Sequence, residues 1–201
     1  MAAQHDVRTE LLMLARSRDF AGLFARCSEL ESAQTPGVVL DSSFYVQYLF
    51  SCLFLGNLVQ ARFLWKRLPA DFKSDNEVAA VWAVGKALTK RKYSDVYRHL
   101  DAGRWRVAED LAQLFRAQFT ERMTQLVVKA YSSLKVQQAA GLLGMSLGEV
   151  TSFANSKGWT ITGEIVRPRA AGSGEAKQVQ AKEVERVTKM LNFLEQKEHA
   201  F

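Results

Sequence analysis

The sequence predicts a mainly α-helical chain: stacked helical hairpins, then a helix–turn–helix with a small two-stranded wing, then a separate tail helix. Three observations carry this. Proline occurs only three times in 201 residues, while Ala, Leu, Lys, Arg, Gln and Glu, which lose little rotamer freedom in a helix, abound. An apolar helix, a polar turn and a second helix opening on a large apolar residue recur three times before about Tyr131. Beyond Leu134 the texture shifts to short helices followed by a β-branched pair of segments around a glycine.

The first hairpin runs from Leu11–Ala15 through Arg16-Ser17-Arg18-Asp19 into Phe20, Leu23, Phe24 and Cys27. The second runs from Tyr48–Leu55 through Gly56-Asn57 into Leu58, Ala61, Phe63, Leu64 and Leu68. The third runs from Val81–Leu88 through Lys90-Arg91-Lys92 into Tyr93, Val96, Tyr97 and Leu100. Phe20, Leu58 and Tyr93 are separated by 38 and 35 residues, close to the ~34-residue period of tetratricopeptide-like repeats. A single pair cannot bury its apolar face, so neighbours must stack. Thr35-Pro36-Gly37 marks a loop and Pro69 closes the second pair, because proline cannot continue a helix. Trp65, Trp82 and Trp105 are expected to pack between repeats rather than to form a binding cage. A longer helix, from Val107 to about Tyr131, leads out of the array, so the repeats are assigned to residues 1–131.

Residues 132–169 read as one subdomain. Val136, Ala139, Ala140 and Leu143 form a short helix stopped by Gly144, a residue suited to the left-handed C-terminal position. Ser146-Leu147-Gly148-Glu149 has the spacing of a capping box, opening a helix with Val150, Phe153 and Ala154 inward and ending near Gly158. Trp159–Thr162, Gly163 and Glu164–Pro168 then predict a hairpin. Two helices and a hairpin in this order make a winged helix. Residues 170–182, with Ala170-Ala171-Gly172-Ser173-Gly174-Glu175, are a linker. A tail helix over 183–199 carries Val184, Val187, Leu191 and Leu194 at spacings of 3, 4 and 3, widened by Met190 and Phe193. Such a seam seeks a helical partner, whether outside the chain or in its own domain.

Composition narrows the function classes. Hydrophobic residues make up 48% and charged residues 24%, an ordinary globular balance. No signal peptide is expected, because His5, Asp6, Arg8 and Glu10 interrupt the start. No apolar run approaches the ~20 residues of a membrane span, so a soluble cytoplasmic and nuclear protein is expected. Cys27 and Cys52 lie in apolar helices; a disulfide is conceivable, but reduced thiols fit better.

Catalytic material is thin. The three histidines, His5, His99 and His199, form no metal-ligand spacing with each other or with the cysteines. Gly172-Ser173-Gly174 lacks the strand and Lys-Ser/Thr of a phosphate loop. Asp41, Glu109 and Asp110 read as cap or surface acids. No enzyme, cofactor, metal site or small-molecule substrate is expected.

The net charge of +6 and a pI near 9.4 raise nucleic acid as a partner. A DNA-reading second helix carries Arg, Lys, Asn or Gln into the major groove. Here its outward side offers Glu149, Ser152, Asn155, Ser156 and Lys157, too little cationic charge for phosphate neutralisation. The basic residues Lys90-Arg91-Lys92, Arg98, Arg104 and Arg106 lie on the repeats instead. Nucleic-acid binding remains the alternative, and protein docking is the expectation.

Helical repeats, a winged helix and a tail helix in this order resemble the PCI architecture shared by the proteasome lid, the COP-nine signalosome and translation initiation factor three. Ala61-Arg62-Phe63-Leu64-Trp65-Lys66-Arg67-Leu68-Pro69 resembles a hallmark stretch of the signalosome's smallest-subunit family. Ala80–Lys86, Tyr93–Tyr97, Arg122–Leu126, Ala130–Ser133, Leu143–Met145 and Gly158–Thr160 continue the likeness in order. The resemblance implies a non-catalytic scaffold in the complex that removes a ubiquitin-like modifier from cullins. It also implies docking on other subunits in two ways. The winged-helix edge, with Trp159, Thr160, Ile161, Ile165 and Val166, would extend a neighbouring sheet. The tail helix, with Val184, Val187, Met190, Leu191 and Leu194, would enter a helical bundle.

Overall fold

A computed structural model describes residues 2–33 and 40–169. The expected linker and tail helix lie outside the described residues. The described residues divide into two compact units, those within 2–125 together with Ala140–Ser146, and Leu126–Ala139 together with 147–169.

The first unit holds the three expected hairpins: α1 (Ala2–Arg16) with α2 (Phe20–Ala33), α3 (Ser42–Phe54) with α4 (Leu58–Arg67), and α6 (Asn76–Thr89) with α7 (Tyr93–Ala102). Their turns share one backbone solution. Arg18, Gly56 and Arg91 adopt φ of 60°, 71° and 55°, and each stands two residues before the aligned Phe20, Leu58 or Tyr93. In the second turn Gly56 N–H donates to the Leu53 carbonyl and Asn57 N–H to that of Cys52. Arg18 and Asp19 repeat this on Ala15 and Leu14, and Arg91 and Lys92 on Leu88 and Ala87. This is the Schellman closure, in which a left-handed residue folds two amides back onto orphan carbonyls. Side chains then open the next helix: Asp19 Oδ1 accepts from Gly22 N–H at 2.8 Å, and Asn57 Oδ1 from Gln60 N–H at 3.3 Å.

Helix α3 is the hub of this unit. Every residue from Ser43 to Phe54 is buried, as expected of a helix that is apolar on all sides. It packs against α2, α4 and α6. Asp41 caps it, accepting from Phe44 N–H at 2.9 Å. Aromatic rings continue the core: Phe54 stacks on Phe20 at 3.7 Å and meets Phe115 edge-on at 5.2 Å. Phe115 belongs to α8 (Glu109–Ala130), where Leu111, Phe115, Phe119 and Met123 place one buried residue every four along a stripe.

A short helix not anticipated from the sequence, α5 (Ala70–Lys73), follows Pro69. Proline's fixed φ suits the residue that opens a helix, so Pro69 ends α4 and begins another turn.

The second unit contains β1 (Leu134–Lys135), part of α9 (Val136–Leu143), α10 (Leu147–Ser156), β2 (Thr160–Thr162) and β3 (Ile165–Arg167). Val150, Ala154, Trp159, Leu134, Ala139 and Val166 are buried and form its core. Gly158, at φ 68°, ends α10 by the same closure, with Trp159 N–H donating to the Ala154 carbonyl at 2.8 Å. The β2–β3 hairpin turns at Gly163, φ 60°. The sequence predicts two strands, and the described residues hold three: β1 pairs antiparallel with β3, giving the order β1-β3-β2.

Candidate interaction surfaces

The third strand changes what the wing can offer. β3 is hydrogen-bonded on both sides, so Ile165 and Val166 stand on the central strand and not on an edge. Val166 is buried, while the Ile165 side chain is 44% exposed on the sheet face. Trp159 is likewise a core residue: it is 4% exposed and meets Phe153 edge-on at 5.8 Å. The edge residues among those expected are Thr160 and Ile161, on β2.

The two edges differ in availability. On β1, the Lys135 amide is taken by Gln138 Oε1 at 3.2 Å, and the Val136 amide donates to the Glu164 carbonyl at 2.8 Å. On β2, one side pairs with β3 over Thr160–Thr162 and the other has no strand partner among the described residues. An unpaired row of backbone donors and acceptors is a template for a further strand. The sequence could not single out this edge, because the strand that fills the other side of β3 is two residues long and lies ~30 residues upstream. The tail residues Val184, Val187, Met190, Leu191 and Leu194 lie outside the described residues.

The second helix of the motif exposes Glu149, Ser152, Asn155, Ser156 and Lys157. Lys157 sits over the Phe153 ring at 5.6 Å. In the first unit, Arg98 pairs with Asp95 at 2.9 Å and Arg106 with Asp75 at 3.8 Å. Lys90, Arg91, Lys92 and Arg104 are exposed.

Trp65, Trp82 and Trp105 do not form a cage. Trp65 stacks on Trp82 at 5.1 Å and 10°, joining α4 to α6. Trp105 packs on Phe50 at 5.7 Å and donates its indole N–H to the Leu100 carbonyl at 2.8 Å. Cys27 and Cys52 are free thiols, both fully buried. Burial pushes each thiol up to about 12, because desolvation disfavours the thiolate. Among the described residues no group of three or more His, Cys, Asp or Glu is placed to hold a metal. No helix among them is long and apolar enough to cross a membrane.

One buried carboxylate was not foreseen. Glu77, 3% exposed in the first turn of α6, accepts from the amides of Arg106 and Val107, the latter at 3.0 Å. It thereby fixes the chain that enters α8.

Sequence comparison decides the family. The model of the CSN8/PSMD8/EIF3K family matches residues 39–179, through the last two hairpins and the winged helix. The chain belongs to the CSN8/PSMD8/EIF3K family. Within it, the chain is similar to COP9 signalosome complex subunit 8 of Xenopus laevis, 29% identical over 195 residues that cover 93% of this chain and 98% of the relative. The Arabidopsis thaliana protein of the same name is 29% identical over 155 residues, 75% of this chain and 79% of the relative. That of Danio rerio is 31% identical over 133 residues, 65% of this chain and 70% of the relative. The mainly helical fold with its small antiparallel sheet is consistent with the PCI-type architecture of this family.

Proposed function

We propose that this chain is a non-catalytic scaffold subunit of the COP9 signalosome, acting in cytoplasm and nucleus. It supports assembly of the complex that removes a ubiquitin-like modifier from cullins and so regulates cullin–RING ubiquitin ligases. The observation that carries this reading is the near end-to-end similarity to a protein named COP9 signalosome complex subunit 8, across 93% of this chain.

Docking divides between two elements. The β2 edge, Thr160–Thr162, adds to a neighbouring subunit's sheet by backbone hydrogen bonds. The 183–199 helix enters a bundle through Val184, Val187, Met190, Leu191 and Leu194. The buried, protonated thiols and the exposed side of α10, which with the adjoining Lys157 offers one cation beside Glu149, support a protein-docking role over chemistry or DNA reading.

Affinity purification of the tagged full chain from its native source, with mass spectrometry of the co-eluting complex, tests the assignment. Recovery of signalosome subunits with cullin-deconjugating activity is expected. Recovery of proteasome-lid or initiation-factor subunits would reassign the assembly. A lone monomer with steeply salt-dependent duplex binding would overturn the scaffold role. Thr160→Lys with Thr162→Lys is expected to weaken recovery, since lysines on an edge strand block augmentation.

A further inference from the structure

Helix α4 has two faces of different character. Ala61, Leu64 and Leu68 are buried in the first unit. On the opposite side Val59 and Phe63, one turn apart, are 62% and 52% exposed. Together with Leu58, Arg62, Lys66 and Thr89 they line a shallow groove of about 330 Å³. Single exposed apolar residues need no explanation, but an apolar groove built around an exposed phenylalanine marks a contact site.

The charged side chains that line it have one sign. Arg62 and Lys66 flank the apolar pair, and among the described residues no carboxylate lines the groove. Neighbouring Arg67 is held bidentately by Glu31, Nε at 2.8 Å from Oε1. Arg62 and Lys66 make no ion pair among the described residues. Thr89, at the groove's other side, is followed directly by the exposed Lys90, Arg91 and Lys92.

We infer that this groove docks an acidic amphipathic helix of a partner protein. Apolar side chains of that helix would lie on Val59 and Phe63, and its carboxylates would face Arg62 and Lys66. Burial of a large aromatic with flanking charge pairs supplies both affinity and orientation. The alternatives fit less well. A second copy of this chain would set like cations against each other across a two-fold axis. The chain's own residues 170–201 carry five Lys or Arg and five Glu, so they have no acidic excess. Single-stranded nucleic acid stacks on several aromatic faces, and the groove presents one, Phe63.

The test is fluorescence anisotropy of the full chain with a labelled synthetic helix of ~16 residues, leucines on one face and glutamates on the other. Its partner probe replaces each glutamate with lysine, and an oligo(U) strand is the third probe. The glutamate helix is expected to bind at least about ten-fold more tightly than the lysine helix. Phe63→Ser, and separately Arg62→Glu with Lys66→Glu, are each expected to weaken it about ten-fold, with circular dichroism and melting temperature unchanged. Val59→Ser provides a second apolar variant should Phe63→Ser perturb the fold. Equal binding of the two helices, indifference to the variants, or tighter binding of oligo(U) would overturn the inference. So would self-association abolished by Phe63→Ser.

Discussion

Gly144 lies so close to Tyr97 that a Cβ placed on it would overlap the aromatic ring. Its φ of 63° is also one that side-chain-bearing residues rarely adopt. Arg116 holds the same spot from a third side, donating to the Gly144 carbonyl at 3.3 Å and to Asp101 at 3.0 Å. Gly144→Ala therefore incurs a backbone penalty and a steric one together, about 2–4 kcal/mol. Chemical denaturation of the variant measures it. A loss below about 0.5 kcal/mol would show that Tyr97 moves aside without cost.

Glu77 tests a different mechanism. Glu77→Ala leaves the Arg106 and Val107 amides without their acceptor, at about 1–3 kcal/mol for each group that stays buried. Glu77→Gln keeps Oε1 and should lose less than half as much. Equal losses for the two variants would mean that charge, and not the acceptor geometry, is what matters.

The left-handed arginines offer the opposite sign. Arg18 and Arg91 occupy the position that Gly56 fills in the second turn. Arg18→Gly and Arg91→Gly should each stabilise the protein by about 0.5–1 kcal/mol. Thermal melts read this as a rise of a few degrees, and a fall would show that these side chains hold their turns in some other way.

Cys27 and Cys52 set a pH dependence. Their thiols titrate near 9.0 when unperturbed and at about 12 in the folded chain. Between those values the folded state binds more protons than the unfolded one, so stability falls as pH rises. The contribution is complete below pH 9 and is lost progressively toward pH 12. Denaturation midpoints from pH 7 to 10.5 should therefore slope downward more steeply in the natural chain than in Cys27→Ala with Cys52→Ala. Both thiols should also resist a thiol reagent until the protein unfolds.

The hairpins were legible because their signals are local. Asp19, Gly56-Asn57 and Lys90–Lys92 sit within a turn of the helices they separate, and the aromatic at each restart fixes the repeat. The helix–turn–helix and its wing were legible for the same reason, through Gly144, Ser146 and Gly163. What escaped was non-local. Leu134 and Lys135 look like the lead-in to a helix, and only their pairing with Val166 and Ile165 makes them a strand. Glu77 looks like any acid in a first helical turn, and its partners lie 29 and 30 residues away. The expected edge was drawn too wide as a direct result: Thr160 and Ile161 do stand on an edge strand, whereas Ile165 and Val166 count as edge residues only until β1 is known.

The burial of α3 from Ser43 onward has a practical consequence for solution measurements. With Ser43 through Phe54 buried on every side, their amides have no route to exchange with deuterium short of opening the unit around them. Exchange along this helix should report the global opening of the first unit, whereas α4 reports local events at its exposed face. A partner that slows exchange in α4 but leaves α3 unchanged has covered a surface. One that slows both has raised the stability of the whole unit, so a single labelling experiment carries its own internal standard.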